Sequence, residues 1–246
     1  MTSHFAIALV LFGLALTAQE PDASTILRQV AQTYQEVKSQ SVEATFVLDR
    51  KTSPMRIEIP ISGTILKPGR VRLEVNSPMM GSQTISDGRS TWMYVARFQQ
   101  YTRKPVSPGI FPMSDGPGDI FAGENILDRL KTAKLLRQER LSVDGREIDC
   151  DVVQAEYSPR PGDQPRQTGP KTFWVDRRRS IILKTSSLLR IDSPRFGGPL
   201  EMTQSITVTS IKLDGPLPDS LFVFVPPEGA REVDEIMPPG MKAPGK

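Results

Sequence analysis

Residues 86–104, SDGRSTWMYVARFQQYTRK, decide the fold class of this chain because they predict a β-hairpin of unusual composition. The dipeptide Asp87-Gly88 tolerates the positive φ that a tight hairpin turn requires. The five residues 91–95 follow the turn, and all except one methionine are β-branched or aromatic, which is typical of a strand. The sequence therefore predicts a hairpin whose second strand is strongly apolar.

Both faces of that second strand are apolar. Because side chains alternate along a strand, Trp92 and Tyr94 point to one face, and Met93 and Val95 point to the other. A strand at the surface of a simple sandwich would keep one of its faces polar. This strand needs two coverings, a core on one side and a helix, a lid or a ligand on the other.

Most of the remaining chain also predicts strands, several of them with one polar face. They cover residues 44–49, 57–61, 71–75, 136–143, 147–156, 171–176, 181–192, 200–213 and 221–225. Pro226-Pro227 ends the last of these, which we expect to close the sheet. The total is about ten or eleven antiparallel strands, and a sheet of that size tends to curl and acquire a concave face.

The strand at residues 200–213 changes phase along its length. Ile206 and Val208 alternate in one phase, whereas Ile211 and Leu213 alternate in the other. An extra residue in one strand of a pair produces such a shift, so we expect a β-bulge near Thr209-Ser210 that curves the sheet.

Two helices and one loop are available to cover the concave face. Residues 22–38 predict a helix with Asp22 as its N-cap and one apolar face. Residues 124–130 predict a second, short helix. The loop at residues 105–123 is rich in proline and glycine but also carries large apolar side chains, which suits a loop folded over an apolar surface.

The N-terminus predicts export. Residues 5–16 form an apolar run of about the length of a signal-peptide core, and small residues follow it. We expect residues 1–19 to be a signal peptide, residues 20–235 to be one domain and residues 236–246 to be a disordered, proline-rich tail. An uncleaved anchor is the alternative for the first segment. Since Cys150 is the single cysteine, it can form no intramolecular disulfide.

The composition gives little support to catalysis, metal binding or nucleic-acid binding. The single histidine, His4, lies in the expected signal peptide. Cys150 lies between two aspartates, which disfavour a thiolate and favour a packed, structural cysteine. The net charge of +3 is scattered apart from residues 177–179, three arginines that we interpret as a solvated turn, with anionic lipid as the alternative partner. We expect no catalytic residue, no cofactor, no metal and no nucleic-acid partner.

Four groups of motifs occur in a characteristic order. They are GTILKP at residues 63–68 with VRLE at 71–74, SDG at 86–88 with WMY at 92–94 and Gln100, FWVD at 173–176, and FVF at 222–224 with PPEG at 226–229. Each motif is weak alone, but their order and spacing together are specific. Over residues 22–234 the chain resembles the LolA-type carriers of outer-membrane lipoproteins and their relatives.

The resemblance implies a fold and a position for the lid contact. It implies a mainly β (α+β) fold, a half-open antiparallel β-barrel of about 10–11 strands with helices and an apolar loop forming a lid over the concave face. Lys67 stands where these carriers have an arginine that locks the lid. Lysine lacks the planar, multi-donor geometry of arginine.

The same resemblance implies a cavity that receives acyl chains. The cavity candidates are Phe46, Leu48, Leu73, Trp92, Tyr94, Phe111, Met113 and Phe121, and the rim candidates are Lys67, Met79 and Met80. On strand 91–95 we expect Trp92 and Tyr94 to face the cavity. The alternative is that all of these apolar residues form an ordinary core.

The expected function is that of a monomeric periplasmic carrier or chaperone. It would bind the acyl chains of lipoproteins, or other lipids, and move them between the inner and outer membranes of a Gram-negative-type envelope. An inner-membrane release complex and an outer-membrane acceptor are its expected partners. The first alternative is an envelope-stress sensor or interaction module on the same scaffold, and the second is an enzyme that reuses the scaffold.

Overall fold

The computed structural model describes residues 22–50, 56–78, 81–106, 119–121, 123–158, 169–193 and 198–238. The segment expected to be a signal peptide, the candidates Met79, Met80, Phe111 and Met113, and residues 239–246 of the tail lie outside the described residues. Within the described residues, no helix is both long enough and apolar enough to cross a lipid bilayer.

One α-helix and twelve strands make up the described residues. The helix is α1 (Ala23–Glu36). The strands are β1 (Ser39–Asp49), β2 (Arg56–Leu66), β3 (Arg70–Val75), β4 (Ser82–Asp87), β5 (Ser90–Val95), β6 (Gln100–Pro105), β7 (Leu130–Val143), β8 (Arg146–Tyr157), β9 (Lys171–Asp176), β10 (Ile182–Ser193), β11 (Gly198–Leu213) and β12 (Arg231–Glu232). Short 3-10 helices lie at Ala96–Phe98, Asp119–Phe121, Gly123–Asn125 and Asp219–Phe222.

All twelve strands belong to one sheet. Its order is β12-β6-β5-β4-β3-β2-β1-β11-β10-β9-β8-β7, and β12 and β7 stand at opposite edges. Neighbouring strands are antiparallel except for β12, which runs parallel to β6. The sheet is not closed into a barrel, which confirms the predicted half-open, mainly β fold. The strand count is slightly above the prediction because β6 and the two-residue β12 are additional, whereas the predicted strand at residues 221–225 does not form.

The predicted β-bulge lies in β11. Glu43 of β1 pairs with Ser210, whereas the next residue, Ala44, pairs with Val208, so Thr209 is the extra residue. The Thr209 carbonyl accepts a hydrogen bond from the Asp144 backbone N–H at 2.9 Å. Asp144 belongs to the turn between β7 and β8, four strands away in the sheet order. The bulge therefore fixes the curl of this half of the sheet by joining its edge hairpin to its centre.

Helix α1 lies on the concave face of the sheet. Its buried side is apolar and joins the residues of β1, β2 and β8–β11 in one core cluster. The helix confirms the prediction for residues 22–38, although the side chain of its N-cap, Asp22, makes no capping hydrogen bond. At the other end, the Asp214 carboxylate accepts hydrogen bonds from the backbone N–H groups of Lys38 and Ser39. These two bonds fix the connection between α1 and β1.

Two element predictions are wrong. Residues 124–130 were expected to form a helix, but only the 3-10 turn Gly123–Asn125 forms, followed by further turns. Residues 221–225 were expected to form the closing strand, but Leu221 and Phe222 end a 3-10 helix and residues 223–225 pair with no strand. Apolar alternation reports burial on one side of an extended chain, and it does so whether or not the backbone pairs with a sheet.

Residues 219–232, named here the strap, cross the outer face of β3–β6. The aromatic ring of Phe224 lies 6.0 Å from that of Trp92 and 5.2 Å from that of Tyr101. Phe222 is buried, and its 3-10 helix contacts β3 and β4. The Arg72 guanidinium donates to the Leu221 carbonyl at 3.2 Å. The strap is therefore the covering of one apolar face of β5.

Candidate functional site

The register of β2–β5 identifies the side chains on the concave face. The ring of Phe121 lies directly over Gly63, because a Cβ added at Gly63 would be 2.1 Å from the ring carbon Cζ. Directly paired residues share a face, and the row that begins at Gly63 continues through Leu73 and Thr84. It ends at Met93 on β5. Met93 therefore faces the concave side and is 44% exposed.

The same register shows that Trp92 and Tyr94 do not face the concave side. They alternate with Met93 and point to the outer face, where the ring of Trp92 stacks on Phe224 of the strap. The expectation that these two residues line the cavity is wrong. A period of two identifies the two faces of a strand, but only the pairing with β4 decides which of them is concave.

The concave wall is apolar over β1–β3 and hydroxyl-rich over β4–β6. Its apolar members on β1–β3 are Val42, Ala44, Phe46, Leu48, Ile59, Ile61, Ile65, Val71, Leu73 and Val75. The same face of β4–β6 carries five hydroxyl residues, the polar Gln100 and Lys104, and two apolar residues, Met93 and Val95. The hydroxyl residues are Ser82, Thr84, Ser86, Thr91 and Thr102. The structure thus brings together the predicted residues Phe46, Leu48 and Leu73 on one wall, with Phe121 above it. Whether lipid contacts them stays a prediction.

We define the lid as α1 together with the 3-10 helices Asp119–Phe121 and Gly123–Asn125. Tyr34 of α1 connects these parts of the lid to one another and to the sheet. The Tyr34 hydroxyl accepts from the Ile182 backbone N–H at 3.2 Å and donates to the Ile120 carbonyl at 3.4 Å. Its ring lies over Gly123, where an added Cβ would be 2.4 Å from Cδ2. Burial raises the pKa of Tyr34 above its usual range, so the hydroxyl keeps its proton for the bond to Ile120.

Lys67 contacts two parts of the lid at once. Its Nζ donates to the carbonyl oxygens of Tyr34 and Gln35 in the last turn of α1, and it lies 3.0 Å from a carboxylate oxygen of Glu124. A cation is favourable at a helix C-terminus, where carbonyl groups have no partner in the helix. Lysine makes these contacts with several donors from a single nitrogen, so the planar geometry of arginine is not needed for this arrangement.

We expect Lys67→Met to lower the free energy of unfolding by about 1 kcal/mol, since it leaves helix carbonyls without a donor. Glu124→Gln is the matched control; it removes only the partly exposed ion pair and should cost about 0.5 kcal/mol or less. Urea unfolding of the two variants measures the difference. Equal losses in both variants would contradict the idea that the helix carbonyls are the important partners.

A cavity of about 10 Å³ lies beside Phe46, Thr185, Gln204 and Ile206. That volume admits about one water molecule. Because Phe121 and the buried side of α1 already pack on the concave wall, an acyl chain would reach that wall only if the lid moved away from it.

Cys150 and the arginine run have structural environments. Burial first, and then Asp176 and the neighbouring aspartates, raise the pKa of the fully buried Cys150 thiol to about 12, so the thiol is protonated at neutral pH. Two of the three arginines in the turn at residues 177–179 are engaged, Arg177 with Asp151 and Arg179 with Asp176. Within the described residues, no cluster of three acidic, histidine or cysteine side chains could hold a metal ion.

Sequence reasoning missed the close contacts that position the lid. Gly63 lies within the quoted GTILKP motif, but nothing in the sequence shows that an aromatic ring lies on it. Gly123 and the hydroxyl of Tyr34 were likewise unassigned. The one available signal was a glycine at a strand position between large residues on the same face. Such a glycine can mark a close approach by another group.

Comparison with known proteins gives structural matches alone. No family model matches the sequence, and no curated protein matches it significantly. A LolA superfamily protein from Nitrosomonas europaea is 16% identical, with 83% of this chain and 98% of that chain covered and a TM-score of 0.39. Lipoprotein LppX from Mycobacterium tuberculosis is 13% identical, with 79% and 98% covered and a TM-score of 0.43.

A third similar structure is the MucA/MucB complex of Pseudomonas aeruginosa. It is 20% identical, with 89% of this chain and 67% of that chain covered and a TM-score of 0.41. Because every one of these TM-scores is below 0.5 and every identity is at or below 20%, the likeness assigns no ligand or partner to this chain.

Proposed function

We propose that this protein binds acyl chains of lipoproteins, or of related lipids, between its lid and the concave face of its sheet. The observation that supports the proposal is a broad apolar wall, on an unclosed sheet, that one helix and two short turns cover. A protein that needed only a stable core could close the barrel. On an open sheet with a separate cover, the same apolar surface can pack against the lid in one state and against a ligand in another.

The energies of the two states are compatible with such an exchange. Each CH₂ group removed from water contributes about 0.8 kcal/mol, so an acyl chain of a dozen buried groups contributes roughly 10 kcal/mol before ordering costs. Among the described residues, the polar contacts that hold the lid are chiefly those of Lys67 and Tyr34, and each is worth about 1 kcal/mol. A bound chain that replaces the apolar contacts of the lid can therefore hold it open.

Within a cell envelope, such binding would serve transport. We propose a monomeric periplasmic carrier that takes lipidated cargo from an inner-membrane release complex and delivers it to an outer-membrane acceptor. The signal-peptide prediction for residues 1–19 and the family resemblance support this location. A sensor or interaction module on the same scaffold is the alternative, and a pull-down that recovered a membrane regulator without lipid would favour it.

Two apolar residues that contact water on opposite faces provide the test. We expect Leu48→Glu, on the concave face of β1, to weaken the binding of a fluorescent palmitoyl probe about tenfold or more, because a carboxylate beside an acyl chain is costly to bury. Val225→Glu is the matched control, since Val225 is 74% exposed on the strap and should leave binding unchanged. Both variants should fold, as both positions already contact water.

Probe fluorescence titration and mass spectrometry of co-purified lipid provide the measurements. Wild-type protein that takes up no probe and carries no lipid would refute the proposed function. Equal effects of the two substitutions would place the binding site elsewhere than on the concave face.

A further inference from the structure

The amide nitrogen of one buried glutamine on the concave face has no hydrogen-bond partner among the described residues. Gln40, near the start of β1, pairs across the sheet with Ile65 of β2 and Leu213 of β11. It is 4% exposed, and both of these neighbours pack against the apolar core. Among the described residues, no acceptor bonds its Nε2, which is itself buried. The chain therefore keeps an unused donor at the edge of an apolar surface.

An orphan donor of this kind is costly. A buried, unsatisfied amide costs the free energy of losing its bonds to water, whereas methionine would fill nearly the same volume without that cost. Gln204 shows that this sheet can satisfy a buried amide: it lies on the same face at 6% exposure, and its Nε2 donates to Ser187 Oγ at 2.9 Å. The Nε2 of Gln40 differs from that of Gln204 in having no acceptor among the described residues, so a ligand is a natural source of the acceptor.

We infer that Gln40 Nε2 donates a hydrogen bond to the carbonyl oxygen of an ester- or amide-linked acyl chain once the lid is displaced. This inference rests on the proposed function and specifies the cargo more closely. The apolar neighbours of Gln40 favour a neutral acceptor, because an ionised phosphate or carboxylate buried beside Ile65 and Leu213 would cost several kcal/mol more.

The positions along β1 provide a path for the rest of the acyl chain. Val42, Ala44, Phe46 and Leu48 follow Gln40 at every second residue on the same face. Eight residues of strand extend over about 27 Å, a length comparable with that of a long acyl chain. Gln40 also lies four residues after the end of α1, at the end of the lid that Lys67 holds. The acyl carbonyl would thus lie near the helix–strand connection, and the hydrocarbon would run along β1.

The first measurement needs no ligand. We expect Gln40→Met to raise the melting temperature of the lipid-free protein by about 2–4 °C, because it removes the unsatisfied donor. Gln204→Met is the matched control and should lower the melting temperature, since it removes a satisfied hydrogen bond. A Gln40→Met variant less stable than wild type would show that the amide has a partner in the protein and would overturn the inference.

The second measurement compares two lipids that differ only at the carbonyl. The probes are a fluorescent phospholipid with two palmitoyl esters and its analogue with two hexadecyl ethers. We expect wild-type protein to bind the ester about five- to tenfold more tightly, Gln40→Met to bind both probes equally, and Gln204→Met to retain the preference.

The possible failures are distinguishable. Equal binding of ester and ether by the wild type, or an ester preference that survives Gln40→Met, would overturn the inference and leave the proposed acyl binding intact. Failure of the wild type to bind either lipid would overturn both.

Discussion

Replacing Phe222 by alanine is expected to lower the free energy of unfolding by about 3–5 kcal/mol, the usual cost of removing a buried phenylalanine ring. Phe222 is 2% exposed and lies between the strap and the outer face of β3 and β4. For a domain of this size the loss corresponds to a fall of roughly 10 °C in melting temperature. Urea and thermal unfolding of the variant measure both quantities.

The neighbouring residue provides the control for this prediction. Val223 belongs to the same segment but is 57% exposed, so Val223→Ala should change stability by no more than about 0.5 kcal/mol. If Phe222→Ala were as mild as Val223→Ala, the strap would not be packed on the sheet. Equal and large losses would instead indicate a strand buried on both faces.

Gly63→Ala is expected to destabilise the protein by about 2–3 kcal/mol, although the substitution adds a single methyl group. The new Cβ would lie 2.1 Å from Cζ of Phe121, so the ring must leave its place on the wall or the lid must rise. Overpacking of this kind typically costs 1–3 kcal/mol. Since the displaced ring belongs to the lid, we also expect faster uptake of a fluorescent acyl probe.

A second glycine and a double variant test the cause of that loss. A Cβ added at Gly215 meets no atom within 4 Å, so Gly215→Ala should be close to neutral. Combining Gly63→Ala with Phe121→Ala should cost less than the sum of the two single losses, because the methyl group no longer meets a ring. Strict additivity would show that the methyl group and the ring do not collide.

The sequence by itself determined the features that depend on residues close together along the chain. The apolar face of α1, the Asp87-Gly88 turn and the bulge at Thr209 are all visible as spacing along the chain, and the structure has each of them. Of the two coverings that the apolar faces of β5 predicted, the strap provides one, and on the other face Met93 is 44% exposed. Such features are predictable because backbone geometry fixes the periods of helices and strands before any tertiary contact forms.

The tertiary structure alone decided which surface each feature meets. The period of the strand shows that Trp92 and Met93 point to opposite faces. Only the pairing of β2 through β5, with Phe121 over Gly63, shows that the face with Met93 is the concave one. The segment around Phe222 forms an outer strap and not a strand of the sheet. The sequence did not distinguish the two, because apolar alternation reports burial and carries no information about hydrogen-bond partners. The orphan amide of Gln40 depends on the same kind of information, since a missing partner can be identified only when every nearby acceptor has a position in space.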